Sequence, residues 1–101
     1  MWLVAMFDLP TGTDAERKAY VRFRNYLLDE GFEMAQYSVY MRCCAGKEKV
    51  EALVQRIGGN LPPSGTVTLF AITDKQYEGM INFRCRARHP SPAKPAQLVL
   101  F

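Results

Sequence analysis

The chain has 101 residues, 49% of them apolar and 23% charged, and thirteen Lys and Arg against ten Asp and Glu give a net charge of +3. These proportions fit one folded domain with a core of its own and exclude intrinsic disorder, collagen and coiled coil. No apolar run approaches the ~18 residues of a membrane helix. The apolar opening at residues 2–7 is shorter than a secretory core and has no basic flank, so a cytoplasmic protein with no membrane partner is expected.

Residues 2–8 read as a central strand, an almost continuous apolar run closed by Asp8. Residues 9–12 (Leu-Pro-Thr-Gly) are a turn. Thr13 and Glu16 have capping-box spacing, so a helix starts there, and Gly31 stops it. Ala19, Tyr20, Phe23, Tyr26 and Leu27 share one arc of that helix. Residues 32–44 are a β segment, either two short strands or one strand bent at Gln36-Tyr37-Ser38. A second helix follows Gly46, with Val50, Leu53, Val54 and Ile57 at i, i+3, i+4 and i+7, and ends at Gly58-Gly59. Residues 61–65 form a loop, and residues 66–73 a strand rich in β-branched side chains. This order predicts an α+β, ferredoxin-like βαββαβ fold. Two helices then cover one face of a four-stranded sheet and leave the other for a partner.

Residues 74–82 read as a turn and a short helix. Pro90, Pro92 and Pro95 keep residues 89–95 extended, and residues 97–101 form an extra apolar strand. Such a strand is expected to join a sheet edge, either in a second protomer of a homodimer or in its own subunit. The chain thus divides into a ferredoxin-like domain, 1–82, and a basic, Pro-containing tail, 83–101.

Charge is unevenly placed. Residues 1–78 hold nine bases and ten acids, whereas residues 79–101 hold Arg84, Arg86, Arg88 and Lys94 and no acid. Arginines at every second position of an extended chain point the same way, about 6.6 Å apart, which suits a phosphate backbone. The alternative is a solvated tail. Three cysteines without CxxC spacing, and one histidine, His89, exclude a disulfide framework and a structural zinc site.

Asp8 is the sharpest candidate for chemistry. A carboxylate that closes an apolar strand needs solvent, a partner or a metal, and strand ends are where α/β proteins place ligands. The local alternative is a cap that accepts N–H bonds from residues 10–12. Mg²⁺ takes only one or two protein carboxylates, so two copies of Asp8 brought together by a two-fold dimer would suffice for metal-assisted phosphodiester hydrolysis. Residues 36–42 (Gln-Tyr-Ser-Val-Tyr-Met-Arg) mix aromatic and polar groups, as a base-stacking surface or a half-buried interface strand would.

Residues 3–10, the helix start Glu16-Arg17, the block Gln36-Tyr37-Ser38-Val39-Tyr40 and residues 65–77 together resemble the CRISPR-associated protein 2 family, in the branch beside a single large RNA-guided effector nuclease. The likeness runs through nearly the whole chain in the right order. It implies a ferredoxin-like homodimer in which Asp8 faces its symmetry mate, binds Mg²⁺ and is catalytic. It implies supporting roles for Phe7, Ser38 and Tyr40 and nucleic-acid contact by Arg17, to which the charge pattern of the tail adds Arg84, Arg86 and Arg88. It further implies metal-dependent endonuclease activity on single-stranded RNA or duplex DNA. A role in CRISPR adaptation follows as well, in which the dimer binds duplex DNA and bridges dimers of the integrase subunit during spacer acquisition. A toxin-like messenger endoribonuclease of the virulence-associated protein D kind, which shares the fold and the strand-end aspartate, is the alternative.

Overall fold

The computed structural model describes residues 1–85 and, as backbone, residues 97–100. Arg86 and Arg88 of the basic row lie outside the described residues. The elements run β1 (Trp2–Asp8), α1 (Asp14–Asp29), β2 (Glu33–Gln36), β3 (Val39–Cys43), α2 (Lys47–Gly58), β4 (Thr66–Ile72), α3 (Asp74–Glu78), β5 (Ile81–Arg84) and β6 (Gln97–Leu100).

Four strands form an antiparallel sheet in the order β2-β3-β1-β4. This order is consistent with the expected ferredoxin-like arrangement. β1 is central because it can bury both faces. Leu3, Ala5 and Phe7 enter the core under the helices, and Val4 on the opposite face is buried as well. The helices supply Tyr20, Phe23 and Leu27 from α1 and Leu53 and Ile57 from α2. Alternation along β1 therefore fixes the outer set as Val4, Met6 and Asp8. The turn between β2 and β3 resolves the sequence ambiguity in favour of two strands. Gln36 pairs with Val39, and Ser38 takes the left-handed conformation with φ 62°.

The longest helix, α1, has local reasons for both of its ends. Thr13 Oγ1 accepts from Glu16 N at 3.1 Å, and Glu16 Oε1 accepts from Thr13 N at 2.9 Å. Gly31, with φ 89°, leads the chain out of α1 toward β2. At the other end of the sheet, Gly65 has φ 98°, and a Cβ there would stand 2.6 Å from the Asp8 carbonyl oxygen and 2.7 Å from Leu9 Cδ2. Only glycine lets β4 begin this close to the end of β1.

α1 and α2 are tied by an ion pair. Arg56 donates through Nε to Glu30 Oε2 at 2.8 Å and through a terminal nitrogen to Oε1 at 3.2 Å, and Tyr26 Oη donates to Oε2 at 2.8 Å. Hydrogen bonding from Arg56 holds the Glu30 carboxyl below the usual carboxylate range. A depressed folded pKa stabilises above the unfolded value and is lost as pH falls through the folded one. Arg56 is half exposed, which limits the pair to about 1 kcal/mol after solvent screening. Glu30→Gln is expected to lower stability by that amount at neutral pH, and the difference from the wild type closes as pH falls below the ordinary carboxylate range in denaturant titrations run across pH.

After β4 the chain turns into α3, which carries a second capping box between Thr73 and Gln76. Tyr77 of α3 stacks on Trp2 at 3.8 Å between ring centroids, so α3 is held against the start of β1. β5 crosses the 82/83 boundary read from the sequence and pairs antiparallel with β6 in a separate two-stranded sheet. The extra terminal strand is thus present, and it pairs with β5 of its own chain and not with an edge of the four-stranded sheet.

Candidate metal and nucleic-acid site

Asp8 is exposed at the C-terminal end of β1, opposite Thr66 of β4. The register with β4 also brings Thr68 alongside Met6, so the outer face ends in one carboxylate flanked by two hydroxyls. A groove of about 280 Å³ opens there, lined by Met6, Asp8, Tyr37, Ser38, Thr66 and Thr68 among others. The local cap, the alternative reading of Asp8, is not formed. Among the described residues the Asp8 carboxylate makes no hydrogen bond or ion pair, neither to residues 10–12 nor elsewhere. The strand extends straight into the turn, which leaves both carboxylate oxygens free to take a ligand.

Phe7 points the other way. It is 6% exposed and lies among three rings, with Tyr40 stacked at 5.6 Å, Tyr20 tilted at 5.6 Å and Phe23 edge-on at 5.2 Å. Tyr40 is buried in the same cluster, and burial pushes its phenol above the ordinary value. Phe7 and Tyr40 therefore support the site by packing, on the side of β1 opposite the carboxylate. Ser38 joins the two sides. Its carbonyl accepts from Phe7 N at 3.1 Å, which extends the β1–β3 ladder past Met6, and its hydroxyl lies 2.9 Å from Tyr20 Oη.

Above the apolar part of the outer face lies a wider groove of about 430 Å³, lined by Val4, Met6, Val39, Met41, Phe70 and Ile72 among others. Met6 and Phe70 are each about 40% exposed there. Asp8 stands at the end of this surface.

The basic residues lie apart from the carboxylate. Arg17 is exposed on α1, where it donates to Thr11 O at 3.1 Å and pairs with Asp14. Together with Lys18, Arg22 and Asn25 it lines a shallow surface along the helix. Arg84 is exposed at the end of β5, paired in register with Gln97. The structure does not bring Arg17 and Asp8 into one groove.

Three contributors to the site were not identified as such from the sequence. Thr66 and Thr68 reach Asp8 through strand register, which no local pattern reveals. Tyr20 reads as a core position on the helix arc. Its phenol was the available signal, since a buried tyrosine hydroxyl needs a partner and finds it in Ser38. Arg24, one turn beyond Tyr20, has a buried Nε without a hydrogen-bond partner among the described residues, and its charge acts on Tyr37 and Tyr40.

The donor set fits a hard cation only in part. The described residues contain no group of three or more His, Cys, Asp or Glu able to hold a metal. One carboxylate with flanking hydroxyls suits Mg²⁺, which keeps most of its water, provided a second carboxylate comes from another copy. No helix among the described residues is long and apolar enough to cross a membrane.

Comparison with known proteins shows the family. The family model described as CRISPR associated protein Cas2 matches residues 1–80. A Paracidovorax avenae protein is 50% identical over 101 residues, covering the whole chain and 94% of that relative. A Parvibaculum lavamentivorans protein is 48% identical with both chains fully covered. A Flavobacterium psychrophilum protein is 42% identical over 97 residues, 96% of this chain and 84% of its own. Each of these relatives is named CRISPR-associated endoribonuclease Cas2.

Proposed function

Because the chain belongs to the CRISPR-associated protein Cas2 family, we propose that it is a homodimeric, metal-dependent endoribonuclease centred on Asp8 that also serves CRISPR adaptation by binding duplex DNA. The observation that carries the catalytic reading is the free Asp8 carboxylate at the edge of an exposed apolar sheet face. A second copy packed on that face buries Met6 and Phe70 and brings its own Asp8 to the first. The relatives' name supplies RNA as the substrate. It favours this family's chemistry over the toxin-like alternative.

Asp8 from each copy would hold Mg²⁺, which when bound supplies charge neutralisation at the phosphate and an activated water. The protein's own residues do the remaining work. The two carboxylates orient the attacking water in line with the scissile P–O bond. As that water's oxygen bonds phosphorus it releases one proton to solvent, the scissile P–O bond breaks, and the leaving oxygen departs and takes a proton from solvent. Thr66 and Thr68 offer hydroxyls to the non-bridging phosphate oxygens.

The adaptation reading rests on a different surface. Arg17, Lys18 and Arg22 line the outer side of α1, in the helix layer, away from the sheet face that carries Asp8. A duplex held there through its phosphates needs no hydrolysis at Asp8. With Arg84, Arg86 and Arg88 in the tail, a dimer that bridges two integrase dimers in the cytoplasm carries basic arms suited to holding a DNA fragment.

Met6→Glu tests the dimer and the catalytic reading together. Met6 is exposed in the single chain, so the substitution is tolerated in the fold, but a second copy would bury the new charge against apolar side chains. Sedimentation velocity is expected to show the wild type as a dimer and the variant as a monomer, with RNA cleavage lost in parallel. A dimeric variant, or a fully active monomer, contradicts the proposal.

A further inference from the structure

We propose that Tyr37 is a ledge on which one unpaired nucleobase of a single strand stacks while its backbone passes Asp8. The inference rests on the reading of Asp8 as the hydrolytic centre and adds the form of nucleic acid that this groove accepts. Tyr37 is 76% exposed, an unusual state for a large aromatic side chain in a two-residue turn. The ring is nevertheless fixed. One face stacks on Tyr20 at 5.8 Å with 18° between the planes. Tyr20 is 8% exposed and locked through its hydroxyl to Ser38, the left-handed residue that completes the same turn. The result is a ring buttressed from beneath and open above, on the lip of the groove that holds Asp8, Thr66 and Thr68.

A rigid ring of this kind loses little conformational freedom when a base settles on it. It selects for single strands, because a base paired within a duplex keeps its faces against its neighbours. A phenol is neutral at physiological pH, and the Tyr20 hydroxyl pushes the Tyr37 phenol further above its ordinary value. The charge of Arg24 acts on the same ring from α1 and favours an anionic strand.

The test is a titration in EDTA, which reads stacking whether or not Asp8 supports hydrolysis. The probes are a single-stranded oligouridine containing one 2-aminopurine and a blunt DNA duplex. Wild type and Tyr37→Phe are expected to quench the 2-aminopurine and bind alike. Tyr37→Leu is expected to lose the quenching and about tenfold in affinity for the single strand, with duplex binding unchanged. Tyr37→Trp, which keeps a ring, is expected to bind at least as tightly as the wild type and guards against a leucine variant that fails to fold. Single-strand binding by a folded Tyr37→Leu within about twofold of wild type overturns the proposal, as does an equal loss on duplex or a Tyr37→Trp variant as weak as leucine. Loss of quenching in Tyr37→Leu together with undiminished cleavage by Asp8→Asn would sink the catalytic reading alone.

Discussion

Asp8→Asn is expected to lower Mg²⁺-dependent RNA cleavage by roughly 10²- to 10⁴-fold, the span for removing a group that acts directly on the reacting water. The substitution keeps the shape of the side chain and removes only its charge. Asp8 is exposed, and among the described residues its carboxylate makes no bond that asparagine would break. Stability should therefore move by no more than about 0.5 kcal/mol, as at other surface positions free of special contacts. Single-turnover cleavage of a labelled RNA, paired with a thermal melt, separates the two quantities. Unchanged cleavage would place the chemistry elsewhere, whereas a large fall in the melt would make Asp8 a structural residue. Binding of duplex DNA is expected to survive, because the basic surface of α1 lies away from the strand end.

Phe7→Ala is expected to cost about 3–5 kcal/mol, the usual range for emptying a buried phenylalanine site. Phe7 touches three other rings within 5.2 to 5.6 Å, and those rings come from α1 and β3, so the core cannot close over the cavity by moving one side chain. In a domain whose whole stability is roughly 5–15 kcal/mol, this leaves a marginal fold. The melting temperature should fall by more than about 12 °C. Phe7→Leu refills much of the volume and should recover a large part of the loss. Activity measured well below the melting point is expected to survive in Phe7→Leu, because the ring packs toward the helices while the flanking Met6 and Asp8 belong to the outer face. A cleavage defect in a stable Phe7→Leu would mean that the aromatic ring itself takes part in the site.

The fold was legible where local physics decides it. The apolar run closed by Asp8, the Thr13 capping box and the i, i+3, i+4, i+7 pattern of the second helix each settle one element without help from the others. β5 was not legible. Ile81 and Phe83 are exposed in the described chain, and the strand is defined by its pairing with β6, which begins after twelve intervening residues, 85–96. α3 was half legible: residues 74–82 read as a turn and a short helix, and the Thr73–Gln76 capping box that starts it went unread.

The site divides in the same way. Asp8 announces itself, because a carboxylate that closes an apolar strand is costly without a use. Thr66 and Thr68 do not, since only the β1–β4 register places them beside it. The supporting roles carried by the family resemblance acquire physical content only in three dimensions. Phe7 and Tyr40 pack the core beneath the strand end, and Ser38 ties that core to the groove. Arg17 is set in a helix-layer surface of its own, paired with Asp14, and not in the Asp8 groove.

The most direct test of two carboxylates meeting across a dimer is a calorimetric titration of Mg²⁺ into wild-type and Asp8→Asn protein without nucleic acid. The account predicts one ion bound per two chains in the wild type and none in the variant. One ion per chain, or binding that persists without Asp8, would contradict it.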